Sequence, residues 1–313
     1  TLIMNHAQVW SLKSQVSCLM SQTRRKIMFR SLSPGALGIG GLSFMEAMDL
    51  AKATGYQGID VDLGYLTKLM EENSADYVKK LFANKGLKMG AWGLPMNWRA
   101  VGDDYKKGLE NLRKFAKTAQ VLGCTRLATW ILPFSDELPL KENFGFHVKQ
   151  FKPIGDVLAE FGCSLGLEFI GPKTMRVGKK YEFVYTMGGM LELCDAIGTG
   201  NMGLLLDAWH WYTAHGTLDE LKKLKPEQVV HIHINDAPAG IPIDEQVDNV
   251  RCLPGETGVI DLVGFLKCLD AIKCEAPVTP EPFSKKLSTM TPTEAAKTTS
   301  DLFIGVWKKA GLS

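Results

Sequence analysis

The chain has 313 residues, 45% hydrophobic and 22% charged, with a formal net charge of +2; this is the balance of a soluble globular protein long enough to bury a large core without disulfide staples. A charge so near neutral lacks the basic excess of a nucleic-acid binder and gives no support for a charged membrane surface, and no apolar run approaches the roughly 20 residues of a membrane helix. Seven cysteines, at 18, 124, 163, 194, 252, 268 and 274, form no CxxC pair and are odd in number, which points to reduced thiols and a cytoplasmic-type compartment.

Residues 1–27 contain no Asp or Glu but include Lys13, Arg24, Arg25, Lys26 and several serines. They read as a transit-type leader or, more plainly, as an upstream extension with Met28 as the natural start; the fold is expected over 28–313. From there strands and helices alternate. Ser33 to Gly40 is a weak first strand, and Ser43 to Thr54 a helix opened by a Ser cap with Glu46 three residues on. Gly58 to Leu63 is a second strand, Asp76 to Asn84 a helix stopping before Gly86, Leu87 to Leu94 a third strand, and Asp104 to Leu122 a long amphipathic helix closed by Gly123. Arg126 to Leu132, Ser164 to Ile170, Met202 to Asp207, Val229 to Asn235 and Pro277 to Glu281 continue the strands. Between and after them lie the helices Phe146 to Phe161, Gly188 to Ile197, Leu218 to Leu224, Asp261 to Ile272 and Thr293 to Lys309.

Eight strands alternating with eight helices imply a parallel sheet, and at this length a single closed (β/α)8 barrel rather than an open doubly wound sheet. No GxGxxG or GxxxxGK[ST] sequence follows the first strand, which disfavours a nucleotide-binding sheet. Two long loops interrupt the alternation, Gly171 to Met187 and Asp236 to Gly258; loops of that length in a compact domain are usually functional.

In such a barrel the working residues sit at the carboxyl ends of the strands. There the last four strands carry Glu168, Asp207, His233 and Glu281. An unpaired buried carboxylate is costly, and a shared divalent cation resolves the cost for all four residues. The bland alternative, a set of core ion pairs, needs inward basic partners, and the late strands contain no Lys or Arg. Three carboxylates and one imidazole suit Mn²⁺ best, with Mg²⁺, Co²⁺ or Zn²⁺ as alternatives. His231 has the parity of His233 and lies about 6.6 Å further down the strand; it is read as a lower-layer or supporting group. His210, three residues after Asp207, is placed to turn back and bind a substrate hydroxyl, while His147 and His215 read as packing or surface residues. Trp92, Trp130, Phe134 and Trp209 are candidate walls for a sugar ring, and Lys173 and Arg176 in the strand-five loop are candidate partners for a substrate anion.

Five segments, GLEFIGP around Glu168, LLLDAWH around Asp207 and His210, HIHIND around His233, RCLPGETGVID from Arg251 and TPEPF around Glu281, resemble the xylose isomerase-like TIM barrels, which include ketose 3-epimerases, hydroxypyruvate isomerase and inositol-catabolism enzymes. The resemblance covers the chain from residue 29. It implies metal binding by the four residues above, acid–base work by Glu168 and Glu281, and substrate contacts from His210 and a basic residue of the seventh loop, for which Arg251 is the candidate. The extra strand-end histidines of the related three-metal AP endonucleases are missing: the third and fourth rims carry Trp92 and Trp130. The expected activity is therefore isomerisation or epimerisation of a small sugar or polyol through an enediolate. The alternatives are a metal-dependent lyase or dehydratase on a keto-inositol, polyol or oxidised glycoside, and a non-catalytic sugar-binding barrel. Neither nucleic acid nor membrane is an expected partner, and homo-oligomerisation is left open.

Overall fold

The computed structural model describes residues 27–313, so the leader reading of residues 1–27 lies, but for Ile27, outside the described residues. The strands are β1 (Phe29–Leu32), β2 (Gly58–Ile59), β3 (Lys88–Met89), β4 (Trp92–Gly93), β5 (Arg126–Ile131), β6 (Phe134–Ser135), β7 (Ser164–Phe169), β8 (Tyr181–Glu182), β9 (Met202–Asp207), β10 (Val229–Ile234) and β11 (Pro277–Pro280). Nine of them form one sheet of order β3-β2-β1-β11-β10-β9-β7-β5-β4, and its neighbours pair in parallel. β3 and β4 are two pieces of one stave: between them Gly90 N–H donates to Ile59 O at 2.7 Å and Ala91 O accepts from Val61 N–H at 2.9 Å. Eight staves thus close a (β/α)8 barrel, while β6 and β8 pair antiparallel outside it.

Around the sheet lie α1 (Phe44–Ala53), α2 (Leu63–Glu72), α3 (Ala75–Lys85), α4 (Gly102–Leu122), α5 (Leu140–Ala159), α6 (Met187–Ile197), α7 (Ala208–Thr213), α8 (Leu218–Leu221), α9 (Leu262–Ala271) and α10 (Pro292–Lys309). The expected capping box at Ser43 and Glu46 is formed, and α4 ends on Gly123 at φ 81°, a conformation that glycine adopts without a Cβ clash. The core sits between staves and helices. Leu165 and Leu167 of β7, Leu204 and Leu206 of β9 and Ile232 of β10 are fully buried against it. These strands read as near-continuous apolar runs because a parallel stave is covered on both faces.

Three expectations are corrected. The first stave is FRSL at 29–32, not 33–40; SPGALGIG is a loop with a 3-10 turn, where Gly38 takes φ 72°. The second strand stops at Ile59 because Asp62 caps a further helix, accepting from Tyr65 N–H at 3.0 Å. The six-residue α7 follows Asp207 directly; it is too short for a period-3.6 pattern to register. Among the described residues the six cysteines are free thiols, and no helix is long and apolar enough to cross a membrane.

His147 and His215 fall as expected. His215 is an exposed partner of Asp244. His147 is packed among Trp98, Phe146 and Phe183, and burial lowers its pKa from 6.5 to about 4. The unfolded chain therefore takes up this proton first. The stabilisation is full above about pH 6.5 and falls away as pH drops towards 4, by about 3 kcal/mol. Urea unfolding at pH 7 and pH 4 should show His147→Leu losing less stability than the wild type over that interval; equal losses would remove His147 from the acid response.

Candidate metal centre

Side chains on one stave alternate between the barrel lumen and the helices. Glu168 shares its face with Gly166 on β7, and its Trp130 neighbour in register lies on β5. β10 needs a correction of phase. A bulge between Val229 and His231 shifts the pairing from Val229↔Leu204 to His231↔Leu205 and His233↔Asp207. Without that extra residue both histidines would face the helices. Glu281 follows β11 and extends its ladder by donating N–H to Ile234 O at 3.1 Å.

The result is one cluster. Glu168, Asp207, His233 and Glu281 each offer a ligand atom, all within 4.8 Å of one another. His233 Nδ1 lies 3.5 Å from Glu168 Oε1, 4.0 Å from Asp207 Oδ2 and 3.3 Å from Glu281 Oε2. Asp207 is divided between two tasks. Its Oδ1 accepts from Trp209 N–H (2.7 Å), capping α7, and from Asn235 Nδ2 (3.1 Å), which leaves Oδ2 to the cluster.

The seventh loop brings a counter-charge that strand-by-strand reading missed. Asp236 staples its base: Oδ1 accepts from Ala237 and Ile260 N–H, and Oδ2 from Thr257 and Gly258 N–H. Asp236 and Cys252 also form a two-way backbone bridge. The loop therefore folds back and lays Arg251 across the cluster. Nη1 meets Asp207 Oδ2 at 2.8 Å and Glu281 Oε2 at 3.2 Å, and Nη2 meets Asp248 Oδ1 at 2.7 Å. His210 on α7 has a donor at each ring nitrogen, Gly171 N–H 3.2 Å from Nδ1 and Arg251 Nη2 3.2 Å from Nε2, and a neutral imidazole accepts from one of them.

Electrostatics follow from burial and these contacts. Burial pushes the Glu168 carboxyl up to about 7 against the pull of His233. Burial also raises Asp207, but Arg251, His210 and His233 outweigh it and hold the group at about 2. Burial disfavours the His233 imidazolium, yet Glu281 and Glu168 carry its pKa well above 6.5. Burial lowers His210 to about 4.

The donors fit a divalent cation. Glu168 Oε1 and His233 Nδ1 are buried without a hydrogen-bond partner, a condition native proteins rarely leave uncompensated. Arg251 and a protonated His233 do not balance the charge of Glu168, Asp207, Glu281 and Asp248. Three hard oxygens with one imidazole nitrogen suit Mn²⁺ or Mg²⁺, and also Co²⁺ or Zn²⁺.

Two chambers open onto the cluster and share Trp130, Glu168, Glu281 and Phe283 as walls. The larger, about 530 Å³, runs over Asp60, His231 and Trp92; the smaller, about 330 Å³, over Ile170, Met175, His210 and Arg251. Trp130 is 48% exposed at their rim. Trp92 forms part of the wall with its indole N–H held by Cys124 O at 2.9 Å. Phe283 stacks over the Arg251 guanidinium at 4.6 Å with φ at 40°, a strained setting typical of functional sites; the sequence carried no signal for it beyond its place in TPEPF. Other expected residues are elsewhere. Lys173 lines neither chamber and pairs with Asp244 on the surface at 2.9 Å. Arg176 is turned inward, donating to Gly171 O and Pro172 O. Trp209 is fully buried behind Arg251, and Phe134 lies under Lys179 in a separate cleft.

Residues 48–304 match the xylose isomerase-like TIM barrel family. The chain belongs to that family. It is 23% identical over 271 residues to an inosose isomerase of Halalkalibacterium halodurans, covering 85% of this chain and 92% of that one. Among solved structures, a xylose isomerase domain protein from Alicyclobacillus acidocaldarius superposes with a TM-score of 0.80 at 28% identity, covering 91% of this chain and 99% of the other. An IolI protein solved with a bound zinc atom superposes with a TM-score of 0.72 at 21% identity, covering 90% and 99%.

Proposed function

We propose that this protein is a divalent-metal-dependent isomerase or epimerase that moves a proton beside the carbonyl of a sugar-like or cyclic polyol ketone. The observation that carries the reading is the position of Glu168 and Glu281: both belong to the four-residue cluster, and both line the wall shared by the two chambers. The inosose isomerase relative supports a cyclic polyol ketone as the substrate class.

Glu168, Asp207, His233 and Glu281 would hold the ion, whose chemistry is Lewis-acid polarisation of a substrate carbonyl. Glu168 takes the proton from the carbon beside the carbonyl, and Glu281 returns one. Return to the same carbon gives an epimer; return to the neighbouring carbon gives an isomer. His210 lines the smaller chamber beside Arg251 and contacts a substrate oxygen there. Arg251 holds Asp207 and Glu281 in place and presents its remaining edge to the smaller chamber. Trp130 and Phe283 cover the faces of the substrate ring.

Elemental analysis of purified protein should find one divalent ion per chain, with Mn²⁺ the ion this donor set favours. In D₂O, a keto-inositol or ketose should gain deuterium beside its carbonyl. A product lighter by one water would replace the isomerase reading with a dehydratase, and no exchange with any ketone of the panel would leave a binding barrel.

A further inference from the structure

His231 belongs to no part of the chemistry above, yet its surroundings are built. Its Nε2 lies 3.0 Å from Thr279 Oγ1. Thr279 has one hydroxyl hydrogen and donates it to Asp60 Oδ2 at 2.9 Å, so Thr279 Oγ1 accepts from His231 and Nε2 is the protonated ring nitrogen. Asp60 is fixed in the accepting role from its other side, where Oδ1 takes Ser31 Oγ–H at 2.7 Å and Ala91 N–H at 3.2 Å. The stave is shaped around this carboxylate: a Cβ on Gly90 would stand 2.2 Å from Asp60 Oδ1 and 2.5 Å from Ser31 Oγ.

The relay leaves Nδ1 as a bare acceptor, and among the described residues no side chain or backbone group donates to it. The ring is held edge-on to His233, with centroids 4.8 Å apart. It lines the larger chamber beside Ser33 and Asp62. That nitrogen is therefore available to a donor that enters the chamber.

We propose that His231 is a further substrate-binding residue, whose Nδ1 accepts a hydrogen bond from a substrate hydroxyl, with Thr279 and Asp60 as positioning residues that keep Nε2 protonated. The proposal rests on the reading of the site as one for a polyhydroxylated ketone. It places a hydroxyl-bearing part of the substrate in the larger chamber, where Asp60, Asp62, Ser33 and His231 gather.

The test follows deuterium exchange of a keto-inositol and its monodeoxy analogues in the wild type, His231→Leu, His231→Asn and Thr279→Val, each metal-loaded and analysed for metal. For the wild type, one deoxy position should lower kcat/KM by about a hundredfold, because a site that binds a hydroxyl is left with an unpaired group. In His231→Leu that penalty should vanish, with KM for the full substrate raised and metal content unchanged. His231→Asn, which keeps an acceptor near Nδ1, should restore most of the discrimination, and Thr279→Val should weaken it severalfold. Discrimination that survives in His231→Leu, or metal content that falls with activity in His231→Leu and Thr279→Val, would overturn the proposal while leaving the isomerase reading intact. Absence of exchange in the wild type would overturn both.

Discussion

Glu168→Gln and Glu281→Gln should each lower deuterium exchange beside the substrate carbonyl by about a thousandfold at saturating Mn²⁺, within the range a positioned acid or base contributes. The two residues form one proton-transfer pair, so the double variant should be hardly slower than either single one. Folding should survive. Glu168 Oε1 is buried with no hydrogen-bond partner and faces His233 Nδ1 at 3.5 Å, where an amide oxygen can accept from the imidazolium. Removing one of several crowded carboxylates also relieves repulsion, so Glu168→Gln should melt no lower than the wild type in EDTA. The checks are NMR exchange rates, metal content and thermal melting on the same preparations. Exchange at the wild-type rate in Glu168→Gln would remove it from the chemistry, and loss of fold in EDTA would mean that the carboxylate is needed for structure.

The part of the site legible in the sequence was the part that strand periodicity governs. Glu168, Asp207 and Glu281 sit at or just beyond the ends of apolar runs, and the carboxyl-end rule of the barrel takes them to one rim. Their convergence within 4.8 Å needed no knowledge of loops. His233 arrived at the right place for a reason that periodicity does not show: the bulge after Val229 re-phases β10, and no residue type in VVHIHI announces it. The errors lie where local pattern and tertiary contact separate. FRSL at 29–32 is too short and mixed to read as a strand, and it is specified by pairing with β11 and β2. Trp209 and Phe134 look like sugar-stacking residues by type, yet one is buried behind Arg251 and the other sits under Lys179. Lys173 was placed correctly in its loop but is occupied by Asp244, 71 residues away in the chain. Arg251 was expected at the substrate. Its grip on Asp207 and Glu281 depends on the Asp236 staple, which a sequence reading cannot supply.

That grip makes Arg251→Met the substitution with the largest expected effect on stability. The guanidinium is 1% exposed, and it faces Asp207, Glu281 and Asp248 at 2.8, 3.2 and 2.7 Å. Methionine fills much of the volume but leaves three carboxylates without their shared cation, and breaking a buried pair in this way costs about 3–5 kcal/mol. For a chain of this size the melting temperature in EDTA should fall by roughly 5–8 °C. Divalent metal should then matter more to the variant than to the wild type. Arg251 Nη1 touches Asp207 Oδ2 and Glu281 Oε2, oxygens close enough to the other ligand atoms to serve the same ion, so the arginine and the ion repel each other while sharing ligands. Without the arginine the carboxylates bind the ion more tightly, and the gain in melting temperature from saturating Mn²⁺ grows accordingly. Exchange activity should stay low in the metal-loaded variant, because Asp207 and Glu281 have lost the group that orients them. Thermal melts of both proteins in EDTA and in Mn²⁺ make the comparison. An unchanged EDTA melting temperature would show that the pairing is not holding the barrel mouth together, and equal metal shifts in the two proteins would show that Arg251 and the ion do not compete for the same carboxylates.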